Sequence, residues 1–509
     1  MKFINSLFSW FMKKRLYQMD FFMRYPVEVQ EELLKKLLDF ASNTEFGRQY
    51  RMHEIQTITD FQQRIPVHTY DDLKPYIEKI RQGNQQVLWP SEIKWFAKSS
   101  GTTSDKSKYI PVSWEALEDC HYKAGKDMLA VYCNNYPDTK IYTSKSIGVG
   151  GSHSIHEVNS EEYYTGDLSA ILMQNLPFWA ELIRTPDLSI ALMSEWEEKI
   201  EKIVNTTIDK NVTSLSGVPS WSLLLLDRVL EATGKKYVEE VWPDFEAYFH
   251  GGVNFAPYKK RFLDMFSAKT PRLMETYNAS EGYFAMEDVP GSGELLLMLD
   301  YGIFFEFVPL HQTESKFPQS LTLDQVEKGV GYALVITTNG GLWRYLIGDT
   351  IEFTSLFPFR IKITGRTKSF INIAGEELMV ENAENAIAEA CEKTGAVVNE
   401  FTAGPYLDNN DNPSAHHWLI EFSSPPSDIQ FFSEILDNSL KSHNSDYEAK
   451  RYKNMILQFP VIEAVPHNTF YEWFRLKGKL GGQNKVPRLS NDTKILMEIK
   501  KIMENETYA

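Results

Sequence analysis

The chain has 509 residues, 43% of them hydrophobic and 13% aromatic, which is more apolar material than one ordinary core holds and predicts two or three folded lobes. Its formal net charge of −16 excludes nucleic-acid backbone binding as the main business, because that needs a basic face, although a local basic pocket remains open. Three cysteines, Cys120, Cys133 and Cys391, lack any metal-ligand spacing and fit a reducing, cytoplasmic setting.

The opening MKFINSLFSWFMKKRL carries its basic cluster, Lys13-Lys14-Arg15, after the apolar run and has no small-residue cleavage site. It therefore predicts an amphipathic helix, not an export signal. No window approaches the ~18 consecutive apolar residues a membrane span needs, so none is expected. Val27 to Ala41 spaces its apolar residues at helical intervals, and PVHTYDDLKPYIEKI predicts a capped helix after Pro66. EIKWFAK predicts a strand, SSGTTSDKSKYIP a hydroxyl-rich turn, and VSWEALEDCHYKAGKDMLAVYCNN a long helix, in the order strand, turn, helix. ALMSEWEEKIEKIVN, VPSWSLLLLDRVLEATG and the strand-like FEAYFHGG continue an α/β pattern. From Gly293 the texture changes to strand-like runs, GELLLMLDYGIFFEFVPL, GYALVITTN, LWRYLIGDTIEFTS and FRIKITGR, which predict an antiparallel or barrel-like sheet. Beyond Gly365, ENAENAIAEACEKTG, HHWLIEFSS and DIQFFSEILDNSLKSH predict a small α+β lobe.

The hydroxyl-rich turn lacks the G-x-x-x-x-G-K-[ST] phosphate loop, and GVGGSH puts His153 where a dinucleotide fingerprint needs its third glycine. Hydroxyls and amides in a glycine turn can still surround triphosphate oxygens, particularly ahead of a helix; a solvated Ser/Thr turn is the alternative. In ETYNASEGYFA, Tyr277 offers a ring for a base and Glu281 a hard oxygen ligand for magnesium. In WRYLIGDTI, Asp349 has two oxygens for two ribose hydroxyls. In GGQNKVPRLS, Lys485 follows a flexible Gly-Gly and precedes a stiff Pro, as a mobile phosphate clamp would. Singly, these residues read equally well as core filler, turn caps and surface charge. No G-x-S-x-G hydrolase motif occurs. His153 and His156 have no third ligand in the sequence pattern, and alternation sends His416 and His417 to opposite faces of a strand, so structural roles are expected for all four.

Together and in this order, SSGTTSDKSKYIP, TYNASEG, RYLIGD and NKVPR resemble the signature set of the Gretchen Hagen family of auxin-responsive acyl-acid amido synthetases, within the adenylate-forming superfamily. HGGVNFAPY, SLSGVPSW and NTEFGRQY extend the resemblance to nearly the whole chain. It implies a large α/β N-terminal adenylate-forming domain with a barrel-like β region, residues 1–365, and a small mobile α+β C-terminal domain, residues 366–509, pivoting at Gly365-Arg366. It further implies that ATP and Mg²⁺ activate a carboxylic acid as its adenylate, and that an amine, expected to be an amino acid, accepts the acyl group. Carried over, Ser99, Ser100, Gly101, Thr102 and Thr103 would face the phosphates with Lys106 or Lys108 nearby. Gly251, Gly252 and Tyr277 would flank adenine, Glu281 would hold Mg²⁺, Asp349 the ribose, and Arg366 would join the ATP-binding set. Lys485 would swing in during adenylation, and the helix from Ser113 to Val131 with the SGVPSW turn would wall the acyl pocket. Two departures stand out: Asp105 where many relatives carry glycine, and Glu377 near a lysine position of plant members. A thiol acceptor such as coenzyme A, and a non-catalytic nucleotide-binding regulatory protein, remain alternatives; the presence of both Glu281 and Lys485 disfavours the latter.

Overall fold

The computed structural model describes residues 14–506 except 100–107, 159–160, 177, 254, 268, 314, 316–317, 368–369, 374–375, 377, 408–412, 452–456 and 481–483. Residues 14–24 are helical; the apolar start of the expected N-terminal helix lies outside the described residues. By its contacts the chain forms two compact units: Met1–Gly217, Val241–Gly252 and Pro271–Ile363 in the first, Val218–Glu240, Val253–Thr270 and Thr364–Ala509 in the second.

In the first unit, helix Pro26–Ala41 turns Leu34, Leu37, Leu38 and Ala41 inward at helical spacing. Thr69 and Asp72 cap helix Tyr70–Arg81 reciprocally, and Leu73, Ile77 and Ile80 form its buried face. The strands in chain order are β1 (Trp95–Ser99), β2 (Lys108–Val112), β3 (Lys145–Gly148), β4 (His153–Val158), β5 (Glu161–Gly166), β6 (Arg184–Thr185), β7 (Val212–Gly217) and β8 (Ala247–Gly251). They continue with β9 (Arg272–Ala279), β10 (Gly282–Met286), β11 (Leu295–Leu297), β12 (Ile303–Pro309), β13 (Gly331–Thr338), β14 (Tyr345–Leu356) and β15 (Phe359–Arg366).

β1 and β2 pair antiparallel from Trp95↔Val112 to Ser99↔Lys108, so residues 100–107 join two paired strand ends. This corrects the expected strand, turn, helix order, because β2 stands between the loop and the helix. Ile110, Pro111 and Val112 are all buried, and Pro111 is tolerated because β2 is the edge of the four-stranded sheet β2-β1-β5-β4. The helix beyond it starts at Trp114, passes through a π stretch, Ala116–Tyr122, and continues as an α-helix, Lys123–Asn135.

The remaining strands make one eleven-stranded sheet, β12-β13-β14-β15-β11-β10-β9-β8-β7-β3-β6. From β6 to β9 neighbours run parallel, and antiparallel pairing begins at β9 and β10. Phe284 on β10 and Phe305 on β12 are five strand steps apart, about 24 Å in a flat sheet. Their ring centroids are nonetheless 6.2 Å apart, so the antiparallel half curls on itself into the barrel-like form expected of it.

The second unit packs helices Val380–Thr394 and Ile429–His443 on a three-stranded sheet of Val397–Leu407, Pro413–Ser424 and Val461–Val465, around Ile387, Trp418, Phe432 and Leu436. Helices Pro219–Thr233 and Ala256–Asp264 belong to it as well, tied by Arg261 to Asp227 at 2.5 Å and by Tyr258 Oη donating to Glu400 at 2.8 Å. His416 and His417 each have a separate carboxylate partner, Glu376 at 2.9 Å and Glu463 at 3.0 Å. His156 shares a hydrogen bond with Thr165 Oγ1 at 2.8 Å. Among the described residues no helix is long and apolar enough to cross a membrane.

Candidate nucleotide site

Three neighbouring parallel strands end on glycine: Gly148 pairs with Ser216, Gly217 with His250, and Gly251 with Thr276. Ligands of open α/β sheets lie outside these carboxyl ends. At Gly251 a Cβ would come within 2.3 Å of the Thr276 carbonyl oxygen, so the close strand approach itself demands glycine.

β9 continues from that edge through Tyr277 to Ala279. Ala279 pairs with Gly282, which leaves Ser280 and Glu281 as a tight turn at the point where parallel pairing gives way to antiparallel. Tyr277 is buried, with its ring edge-on to Phe284 at 4.9 Å. Its hydroxyl donates to Asp349 Oδ2 at 2.8 Å, across 72 residues of chain. TYNASEG and RYLIGD thus meet at one pair of side chains.

The RYLIGD segment is held from behind. Arg344, with a positive φ of 45°, donates through Nε and Nη2 to Glu306 at 3.0 Å each and to Ser320 Oγ at 2.6 Å. Both members of this ion pair are buried, Glu306 completely. Gly348, at φ 93°, turns the chain just before Asp349, a conformation that favours glycine. Lys108 Nζ donates to Tyr345 Oη at 3.3 Å, so this lysine is attached to the same segment. Glu275, at the head of ETYNASEG, is pushed up to about 7 by burial and then by neighbouring Glu287.

Gly251, Gly252, Tyr277, Glu281 and Asp349 all belong to the first unit, whereas Arg366, the last residue of β15, and Lys485 belong to the second. Ser99 closes β1; Ser100, Gly101, Thr102, Thr103 and Lys106 lie outside the described residues, as do Asp105 and Glu377. The residues on either side of Lys485 are anchored by hydrogen bonds. Asn484 O accepts from Trp221 Nε1 at 3.2 Å, Pro487 O from Thr402 Oγ1 at 2.6 Å, and Arg488 O from the Ala403 N–H at 2.8 Å. The stiffness of Val486-Pro487 was legible in sequence, but the strand that receives it was not. Arg344, Lys108 and Arg488 were likewise missed as anchors, since each finds its partners far along the chain.

Among the described residues no group of three or more His, Cys, Asp or Glu could hold a metal ion. Glu281 alone fits a magnesium that arrives with a nucleotide, because such an ion takes one or two carboxylates and completes its shell with phosphates and water.

Comparison with known proteins gives a consistent result. Family models described as the GH3 family N-terminal, central and C-terminal domains match residues 15–271, 296–366 and 381–494. The chain is 22% identical over 549 residues to indole-3-acetic acid-amido synthetase GH3.3 of Arabidopsis thaliana, covering 92% of this chain and 90% of that one. The solved structure of GH3.15 acyl acid amido synthetase superimposes with a TM-score of 0.76 at 18% identity, covering 94% and 93%. That of 2-hydroxyisobutyryl-CoA ligase in the postadenylation state with 2-HIB-AMP gives 0.60 at 13% identity, covering 94% and 91%. At these identities the two structures show that this chain shares their fold.

Proposed function

The chain belongs to the GH3 family, the Gretchen Hagen group, and on that footing we propose that it is an ATP-dependent acyl-acid amido synthetase. It joins a carboxylic acid to an amine, in our reading an amino acid. The observation that carries this reading is the Tyr277–Asp349 hydrogen bond, which unites two signature segments beside the carboxyl ends of the parallel strands.

A carboxylate is a poor acyl donor because oxide would have to leave; as an adenylate it releases AMP instead. The acid's oxygen attacks the α-phosphorus and the bond to pyrophosphate breaks. The amine nitrogen then attacks the acyl carbon, the bond to AMP breaks, and the amine loses a proton to solvent. Two anions meet in the first step, so donors fixed in advance are worth most there. Ser99, Ser100, Gly101, Thr102 and Thr103 would supply those donors to the phosphates, with Lys106. Gly251, Gly252 and Tyr277 would border adenine. Asp349, its carboxylate oriented by the Tyr277 hydroxyl, would accept from the ribose, and Arg366 would close on the nucleotide. Lys485 would neutralise charge at the α-phosphate during adenylation. Glu281 would hold Mg²⁺ with the phosphate oxygens, and the ion would supply further charge neutralisation.

The functional division falls at residues 1–365 and 366–509 in this reading. Gly365, at φ 145°, is a natural pivot for motion between the half-reactions. Three free cysteines, Cys120, Cys133 and Cys391, agree with work in the cytoplasm. The test is isotope exchange between pyrophosphate and ATP over a panel of aryl, indole and fatty acids. Exchange that depends on one class of acid supports adenylation; none with any acid favours the nucleotide-binding regulatory protein.

A further inference from the structure

Arg488 closes the NKVPR segment inside a ring of hydrogen bonds. Its Nη1 donates to Glu400 Oε2, its Nη2 donates to Tyr258 Oη, and Tyr258 donates in turn to Glu400 Oε1 at 2.8 Å. Phe401 covers the guanidinium, 4.5 Å from the ring centroid, its carbonyl accepts from Nη1 at 3.0 Å, and Glu384 lies 3.6 Å from Nε. Tyr258 is 2% exposed and Arg488 6%. Desolvating such a cluster is costly, and an apolar patch would hold a helix against a strand as well or better. What a closed polar ring adds is fixed angle and register.

The neighbouring chain transmits that register. Arg488 O and Ser490 N bond to both sides of Ala403, Thr402 binds Pro487 O, and Val486 is buried. Lys485 stands directly before this block, so its Cα takes its position from Arg488. We propose that Tyr258, Glu400 and Arg488 are a positioning set for Lys485, with Tyr258 as the tie that registers the lysine's segment against helix Ala256–Asp264. The inference rests on the adenylation reading above and extends it to residues that touch no substrate.

Tyr258→Phe keeps the ring and removes both hydroxyl bonds. Its kcat for acid-dependent pyrophosphate exchange should fall ~10- to 100-fold, since a misplacement near 1 Å costs up to about 100-fold. KM for ATP should stay within about twofold, because the lysine acts on charge that develops in the transition state. Amide formation from a synthetic acyl-adenylate should also stay within about twofold, as it should in Lys485→Ala, because that step needs no α-phosphate neutralisation. Glu400→Gln still accepts one bond and should show the same split with a smaller loss; it serves if Tyr258→Phe fails to fold. Wild-type exchange in both variants, or an equal fall in exchange and in transfer, overturns the proposal. A wild-type protein that exchanges with no acid fails differently: it removes the adenylation reading, and this inference with it, before any variant is made.

Discussion

Replacing Tyr277 by Phe deletes one oxygen and keeps the ring against Phe284, so its effect passes through Asp349. The lost bond is charge-assisted, worth ~1.5–3 kcal/mol. Asp349 is only partly buried, which puts the loss at the lower end, about 1.5 kcal/mol, or roughly tenfold in an equilibrium. If Asp349 grips the ribose, that tenfold appears in KM for ATP, with kcat within about threefold, since Lys485 and the acid are untouched. Pyrophosphate exchange at saturating acid with ATP varied measures both quantities. With 2′-deoxy-ATP, which lacks one of the hydroxyls in question, wild type and variant should converge. An unchanged KM for ATP, or an equal defect with the deoxy nucleotide, would refute the ribose role.

Glu281→Gln should raise the Mg²⁺ concentration for half-maximal exchange at least ~10-fold, since the turn residue is a metal ligand in this account; an unaltered Mg²⁺ titration contradicts it. Arg344→Leu strands the buried Glu306 carboxylate and should cost ~3–5 kcal/mol in urea denaturation, whereas Arg344→Met with Glu306→Leu should recover most of it. Glu275, at about 7 in the folded protein against ~4.3 for an ordinary glutamate, keeps its proton where the unfolded chain has lost it. Its contribution to stability is therefore complete below about pH 4.3 and is lost as pH rises through 7. Urea midpoints at pH 5 and pH 7.5 should differ less in Glu275→Gln than in wild type, and an identical difference counts against the assignment.

Local signals carried much of the fold. The helix Tyr70–Arg81 begins where Thr69 and Asp72 can cap each other, and the strand runs after Gly293 recur as β11 to β15. β2 was hidden because Pro111 argues against a strand unless the edge position is known, and edges are a property of the whole sheet. The candidate site shows the same limit. Tyr277, Glu281 and Asp349 were legible as chemical types at turns, but nothing within either segment reveals that the Tyr277 hydroxyl serves Asp349 across 72 residues. Lys485 was legible as a charged residue between Gly-Gly and Pro; the anchoring of the following Pro487 and Arg488 on Thr402 and Ala403 depends on a strand 85 residues before Pro487. The π stretch Ala116–Tyr122 follows helical periodicity in sequence and differs only in its hydrogen-bond partners.

The most direct test of the account is mass detection of the product when the purified protein, ATP, Mg²⁺ and an acid that supports exchange are given amino acids, with coenzyme A in a parallel reaction. An N-acyl amino acid accompanied by AMP is the predicted outcome. A thioester in place of the amide would contradict the acceptor assignment, and nucleotide binding without AMP release under any condition would contradict the enzyme itself.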